Sequence, residues 1–158
     1  PHMHTIAAKA VAFGEAMTPA YKEYCQQVLK NAKAMEEVLR REGVRMIGGG
    51  TDNHLILADV YGSLGVTGKE AQTVLDEVGI TLNMNSIAED TRKPLDPSGI
   101  RFGTPAITTR GFLEVDCARV AELLVETLRN KDDEAKKAEI KKEIMSMAES
   151  HPIPEKFV

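Results

Sequence analysis

The stretch Ser98-Gly99-Ile100-Arg101-Phe102-Gly103-Thr104-Pro105 holds the clearest chemistry in this sequence. Ile100 and Phe102 have the two-residue spacing of a half-buried strand, which sends Arg101 to the opposite face. Gly99 and Gly103 bracket the arginine and leave the backbone slim enough for close approach. Pro105 then ends the strand. A guanidinium presented this way suits a carboxylate or a phosphate, which its planar fork grips through two parallel hydrogen bonds. An edge-strand arginine that only solvates its sheet has the same pattern, and the spacing alone does not separate the two.

The elements that must position this strand are legible from spacing and punctuation. Residues 4–17, alanine-rich through Ile6–Phe13, read as a helix because alanine loses no rotamer entropy. Thr18-Pro19 supplies an N-cap followed by proline at the first helical position, so a second helix starts there. Tyr21, Tyr24, Cys25, Val28, Ala32, Met35 and Leu39 form one stripe along it, the tyrosines included in the core, and the helix ends near Gly43. Residues 44–47 are a short strand, Gly48-Gly49-Gly50 a flexible hairpin turn, and residues 54–60 a central strand opened by a hydrogen-bonded structural His54.

Thr67-Gly68-Lys69-Glu70 is a capping box, and Ala71, Val74, Leu75 and Val78 make the buried face of its helix. Gly79 and Ile80 close that helix in a Schellman turn. Thr81-Leu82 opens a short strand that runs into a polar loop over residues 83–97, of a length that is usually functional or disordered. Leu113, Cys117, Val120, Ala121, Leu124, Val125 and Leu128 mark a further amphipathic helix. After a break at 130–133 comes a charged helix with Ile140, Ile144 and Met147 inward and Lys136, Lys137, Lys141 and Lys142 on a solvated face. His151-Pro152-Ile153-Pro154 is an extended tail. Helices and strands are segregated, which predicts an α+β fold with a small, mainly antiparallel sheet covered by helices.

Other chemistries fail on their spacing. No lysine and hydroxyl follow the glycine triplet at P-loop distance, and Glu70 occupies the magnesium-ligand place after Gly68-Lys69. Cys25 and Cys117 stand alone, His2 and His4 lie far from His54 in sequence, and no metal set is predicted. A net charge of -4 and a pI near 5.6 argue against nucleic acid as the main partner. No apolar run reaches the ~20 residues that span a bilayer, so no membrane partner is expected, and the unpaired cysteines fit a cytoplasmic location.

Several of these segments together resemble one family. Pro1-His2-Met3-His4-Thr5-Ile6-Ala7-Ala8-Lys9-Ala10 is similar to the segment of serine hydroxymethyltransferase that leaves its large domain. Gly49-Gly50-Thr51-Asp52-Asn53-His54-Leu55, Leu64-Gly65-Val66-Thr67-Gly68-Lys69-Glu70-Ala71 and Gly79-Ile80-Thr81-Leu82-Asn83-Met84-Asn85 follow that family in order. Ser98-Gly99-Ile100-Arg101, Gly103-Thr104-Pro105-Ala106 and Thr109-Arg110-Gly111 are its strongest local signature. The likeness covers nearly all of the chain except the lysine-rich end and the tail.

The resemblance implies the C-terminal small domain of a fold-type-I pyridoxal-phosphate transferase that interconverts serine and glycine with tetrahydrofolate. Residues 1–17 would be the helix leaving the large domain and 18–158 the small domain. It implies that the Schiff-base lysine lies in the large domain, so that no catalytic residue is expected here and this chain alone is inactive. Arg101 matches the arginine that binds the substrate carboxylate, Asn85 a position that meets folate, and Arg110 a supporting residue for orientation or folding. A homodimer or higher homo-oligomer is implied as well. Ala88 and residues 91–97 depart from the family's usual loop, so the resemblance does not fix the loop's stiffness or the folate geometry. Two rivals differ in class or lineage: a stand-alone, non-enzymatic α+β module that binds an anionic small molecule through Arg101 and the 83–97 loop, and the small domain of an aminotransferase.

Overall fold

The computed structural model describes residues 1–155. Helix α1 spans Met3–Ala16 and α2 Pro19–Arg41. Strand β1 (Arg45–Met46) leads through a short 3-10 turn to β2 (Leu55–Asp59). Helices α3 (Val60–Leu64) and α4 (Gly68–Glu77) follow, then β3 (Asn83–Asn85) and β4 (Gly99–Gly103). Helices α5 (Pro105–Thr109), α6 (Glu114–Arg129) and α7 (Glu134–Ser150) complete the chain. All strand pairs are antiparallel, in the order β1-β2-β4-β3. This is an α+β fold with a small antiparallel sheet covered by helices.

One face of the sheet builds the core. Met46, Ile56, Ala58 and Ile100 meet Met35, Val38 and Leu39 of α2, Ala71 and Leu75 of α4, and Cys117, Ala121, Leu124 and Leu128 of α6. Helix α7 lies over α6 through a second cluster of Val78, Leu123, Ile140 and Ile144. The short sheet is closed at both edges by side chains: the Met84 N–H donates to Gln72 Oε1 at 2.7 Å and the Arg45 N–H to Ser63 Oγ at 2.9 Å. Outward amides that are already bonded cannot recruit a further strand.

The local signals operate as their chemistry requires. Thr18 accepts from the Tyr21 N–H, Thr67 from the Glu70 N–H, and Gly79 takes a positive φ of 91° while the Ile80 N–H reaches the Leu75 carbonyl. The capping box is only half made, because the Glu70 carboxylate pairs with Lys131 at 3.0 Å rather than folding back on Thr67. Strand β3 begins at Asn83, two residues later than the spacing predicts, since Thr81 is held back by a bond to Asp76 and Leu82 turns into the core.

Four further expectations are corrected. Tyr21 is 43% exposed, because the first turns of α2 run past the end of the sheet; Tyr24 is half-buried and bonds the start of α5 instead. Lys137 is buried rather than solvated, held between Glu77 and Glu134 at 2.8 and 2.7 Å. His54 presents an exposed imidazole; its backbone carbonyl, accepting from the Thr104 N–H, is what the fold uses. The glycine turn is anchored rather than loose.

That anchor is Glu36, a buried carboxylate on α2. It accepts from the Thr51 N–H at 3.0 Å and pairs with Lys33 and Arg40 at 2.9 and 2.7 Å. Gly50, at φ 155°, passes so close that a Cβ there would lie 2.4 Å from Glu36 Oε1. Burial pushes the Glu36 pKa up, but the Thr51 amide and the two cations more than offset it, bringing it down to about 2. A depressed carboxylate contributes stability that is present above its unfolded pKa and lost as pH falls through the folded one. Glu36→Gln should therefore lower the urea midpoint clearly at about pH 7 and much less at about pH 2.5. An equal loss at both pH values would show that the charge contributes nothing.

Candidate functional site

The site is built on β4, which lies between β2 and β3. Arg101 is opposite Leu57 on β2 and Asn83 on β3, so the three share the face turned away from the helices. Asn85 is opposite Gly99 on the same face. It is thus the diagonal neighbour of Arg101, a relation that sets side-chain origins roughly 7–8 Å apart. Arg101 is exposed, while its chain neighbour Ile100 is fully buried at 0%. Strand alternation alone produces that contrast.

What distinguishes Arg101 is the state of the other arginines. Arg40, Arg41, Arg45, Arg92, Arg119 and Arg129 each pair with a carboxylate. Arg110 donates through Nε to the His151 carbonyl at 2.6 Å and through Nη2 to the Ala148 carbonyl at 2.5 Å. Those are end groups of α7, where a cation also complements the helix dipole. Arg110 is thus engaged at the far end of α7 and not beside Arg101. Only Arg101 has no hydrogen-bond or ion-pair partner among the described residues. Its five donors face open space above the sheet.

The flanking glycines serve the fold rather than a ligand. A Cβ on Gly99 would lie 2.5 Å from Ile87 Cγ2 and 2.8 Å from the Asn85 carbonyl; one on Gly103 would lie 2.6 Å from the His54 carbonyl. The chain itself fills the space that the sequence leaves open. Gly68, the first residue of α4, donates its N–H to the Pro97 carbonyl at 2.7 Å, and a Cβ there would collide with the Gly99 carbonyl.

The segment after Arg101 is tied to α2 by buried polar groups. Thr104 Oγ1 donates to the Val28 carbonyl at 2.8 Å, and Asn31 Nδ2 donates to Thr108 Oγ1 and the Phe112 carbonyl at 2.9 and 2.8 Å. Tyr24 Oη bonds the Pro105 carbonyl at 3.1 Å. Asn31 does not stand out in the sequence, since asparagine on an apolar stripe looks like an interruption; its position on that stripe is the only available signal.

The loop before β4 is ordered by one carboxylate. Asp90 accepts four hydrogen bonds, from Ile87 N, Arg92 N, Ser98 N and Ser98 Oγ. The two Ser98 donors, foremost among these, hold its carboxyl well below the usual carboxylate range. Arg92 pairs with Asp96 and lies 4.4 Å above the Tyr61 ring, docking the loop on α3. Within it, Asn85 donates Nδ2 to the Ser86 carbonyl at 2.6 Å. The Asp90–Arg92 contact is a two-residue Asx pattern visible in sequence, whereas its reach to Ser98 is not.

A pyridoxal phosphate needs a lysine able to lose its proton and donors for a phosphate. Lys137, the one buried lysine among the described residues, has its pKa raised to about 12, by Glu134 first and then Glu77. The remaining described lysines are exposed or in surface ion pairs. Burial pushes the Cys117 thiol up to about 12, so it is no nucleophile. No buried polar side-chain atom lacks a partner, and no cluster of metal-ligating side chains occurs among the described residues. These residues do not fit the cofactor by themselves. They do fit a carboxylate.

This geometry can be set beside known families. The family profile described as serine hydroxymethyltransferase matches residues 1–124, a span that includes Asn85, the Asp90 loop, Arg101, Arg110 and all four strands. By that match the chain belongs to the serine hydroxymethyltransferase family, whose members are transferases of one-carbon metabolism.

Proposed function

We propose that this chain supplies the substrate-carboxylate site of a pyridoxal-phosphate-dependent hydroxymethyltransferase that exchanges a one-carbon unit between serine and tetrahydrofolate. The observation that carries this reading is the guanidinium of Arg101, unpartnered among the described residues, on the open face of the sheet while every other arginine is engaged. An amino-acid carboxylate completes it through two parallel bonds, and amines without a carboxylate lose that contact. Asn85 lies one diagonal step away on the same face, and to it we assign the contact with the pteridine of the folate. Arg110 holds the end of α7 and thereby the α5 corner that follows Thr104.

The cofactor, bound with its lysine by a larger part of the enzyme, would stabilise negative charge at the substrate's α-carbon. The residues described here bind and orient. Fixing the carboxylate fixes the rotation of the amino acid about its α-carbon, which decides the bond that reacts. Helix α1 buries no residue of its own and is apolar on most of its surface, as a helix leaving a large domain toward this small one would be. Residues 1–17 then form that connection and 18–158 the small domain.

In the full-length enzyme, Arg101→Lys should raise the serine KM by about 30-fold or more, since breaking one side of such a pair costs on the order of 2 kcal/mol or above. Thermal unfolding should stay within a few degrees, because Arg101 has no partner to lose. An unchanged KM with normal kcat would remove the assignment. Asn85→Ala should raise the KM for tetrahydrofolate and leave that for serine nearly unchanged; steady-state kinetics with each substrate varied reads both.

A further prediction concerns the isolated chain. Mixed with pyridoxal phosphate, it should give no stoichiometric visible band and no transaldimination with serine, because every described lysine is solvated or ion-paired. Reduction with borohydride followed by peptide mass mapping tests this. Labelling of one specific lysine at full stoichiometry would refute it.

A further inference from the structure

The connection between β3 and β4 has no tight turn to set its register. Two-residue hairpin loops fix register through turn type, but the loop from Ser86 to Ser98 is far too long for that. Loop closure over such a length is almost indifferent to one residue more or less. Register is nevertheless decisive, because β4 is already fixed by its pairing with β2, and a slip of β3 by one residue would turn Asn83 and Asn85 off the face that carries Arg101.

What crosses the base of this loop is Asp90. Its Oδ2 accepts from the Ile87 N–H at 3.2 Å and from the Ser98 N–H at 3.0 Å; its Oδ1 accepts from Ser98 Oγ at 2.7 Å and the Arg92 N–H at 3.0 Å. Ile87 lies just beyond Asn85, and Ser98 just before Gly99, which are the last paired residues of the two strands. One side chain therefore bonds both strands where their pairing ends. The same bonds hold Ile87 against Gly99, whose missing Cβ leaves room for the Ile87 side chain. All four partners are donors, and no cation pairs with Asp90 among the described residues.

We propose that Asp90 is a positioning residue for the substrate site, fixing β3 against β4 in the register that sets Arg101 and Asn85 side by side on one face. It acts through Ser98 and Ile87 and touches neither substrate. The proposal rests on the reading of Arg101 as the carboxylate-binding group. Amino acid and folate must meet in one geometry, so a displacement of about 1 Å between their two anchors costs as much as 100-fold in rate.

Asp90→Asn tests this with little change of shape, since one acceptor oxygen becomes an NH2 that faces donors. In the 158-residue chain, amide hydrogen exchange at Ile87, Arg92 and Ser98 should accelerate about tenfold or more, while Ile56 and Ile100 in the core stay protected. In the full-length enzyme, KM for serine and for tetrahydrofolate should both rise about tenfold, at a temperature where both proteins are fully folded. Should Asp90→Asn fail to fold, Ser98→Ala removes one donor only and should give a smaller change in the same direction. Faster exchange with both KM values unchanged would reduce Asp90 to a loop staple and overturn the proposal, as would unchanged exchange. Failure of the underlying reading looks different: there Arg101→Lys leaves the serine KM unaltered, whatever Asp90→Asn does.

Discussion

Everything on the open face depends on β4 being held between β2 and β3 in a single register. The strand is short, and its five paired positions with β2, from Gly99 against Asp59 to Gly103 against Leu55, cannot tolerate a shift. Ile100 is buried to 0% and Arg101 is exposed, so the energetic penalty of a slip is the exchange of a full aliphatic side chain for a guanidinium in the core. Burying the isoleucine is worth about 1.5–3 kcal/mol, and burying an unpaired charge costs far more. Hydrophobic pattern thus chooses the face, and specific polar bonds hold the strand's ends.

Those polar bonds gather at the two ends of β4. At the exit of β4, Thr104, Asn31 and Tyr24 tie the chain to α2; at its entrance, Asp90 and the Pro97–Gly68 contact tie it to β3 and α4. Each neutral bond adds only about 0.5–1.5 kcal/mol net, but leaving a buried partner unmade costs about 1–3 kcal/mol. Polar pins of this kind specify an arrangement more strongly than they stabilise it. The helices behind the sheet contribute the stability, and the pins decide where Arg101 points.

Legibility in the sequence followed the range of the interaction. Thr18-Pro19, Thr67, Gly79-Ile80 and the Ile100/Phe102 alternation act within a few residues, and each forms the element its chemistry predicts. Tyr21, Asn31, Lys137 and Glu36 were opaque because their environments come from segments far away in sequence. A tyrosine on an apolar stripe is exposed when the helix outruns its sheet, and a lysine in a charged run is buried when Glu77 of another helix lies against it. The strand order β1-β2-β4-β3 likewise depends on pairings that no local pattern encodes. Arg101 was visible as a candidate, but its lack of a partner became meaningful only once every other arginine could be seen to have one.

An unpaired guanidinium is inexpensive while water solvates it and costly once a protein surface covers it. The open face of this sheet carries Arg101 together with half-buried Leu57 and Asn85, so part of it is suited to being covered. If the covering surface offers no carboxylate of its own, closure leaves a desolvated cation, and the closed state is disfavoured. On the proposed reading, a bound amino acid would reverse that balance, because its carboxylate would neutralise Arg101 in the same step that desolvates it. Occupancy and closure would then be coupled in sign: substrate would favour the covered state, and the covered state would strengthen the contact by lowering the local dielectric. A paired Arg101 would have made the isolated sheet marginally more stable and removed this dependence on substrate.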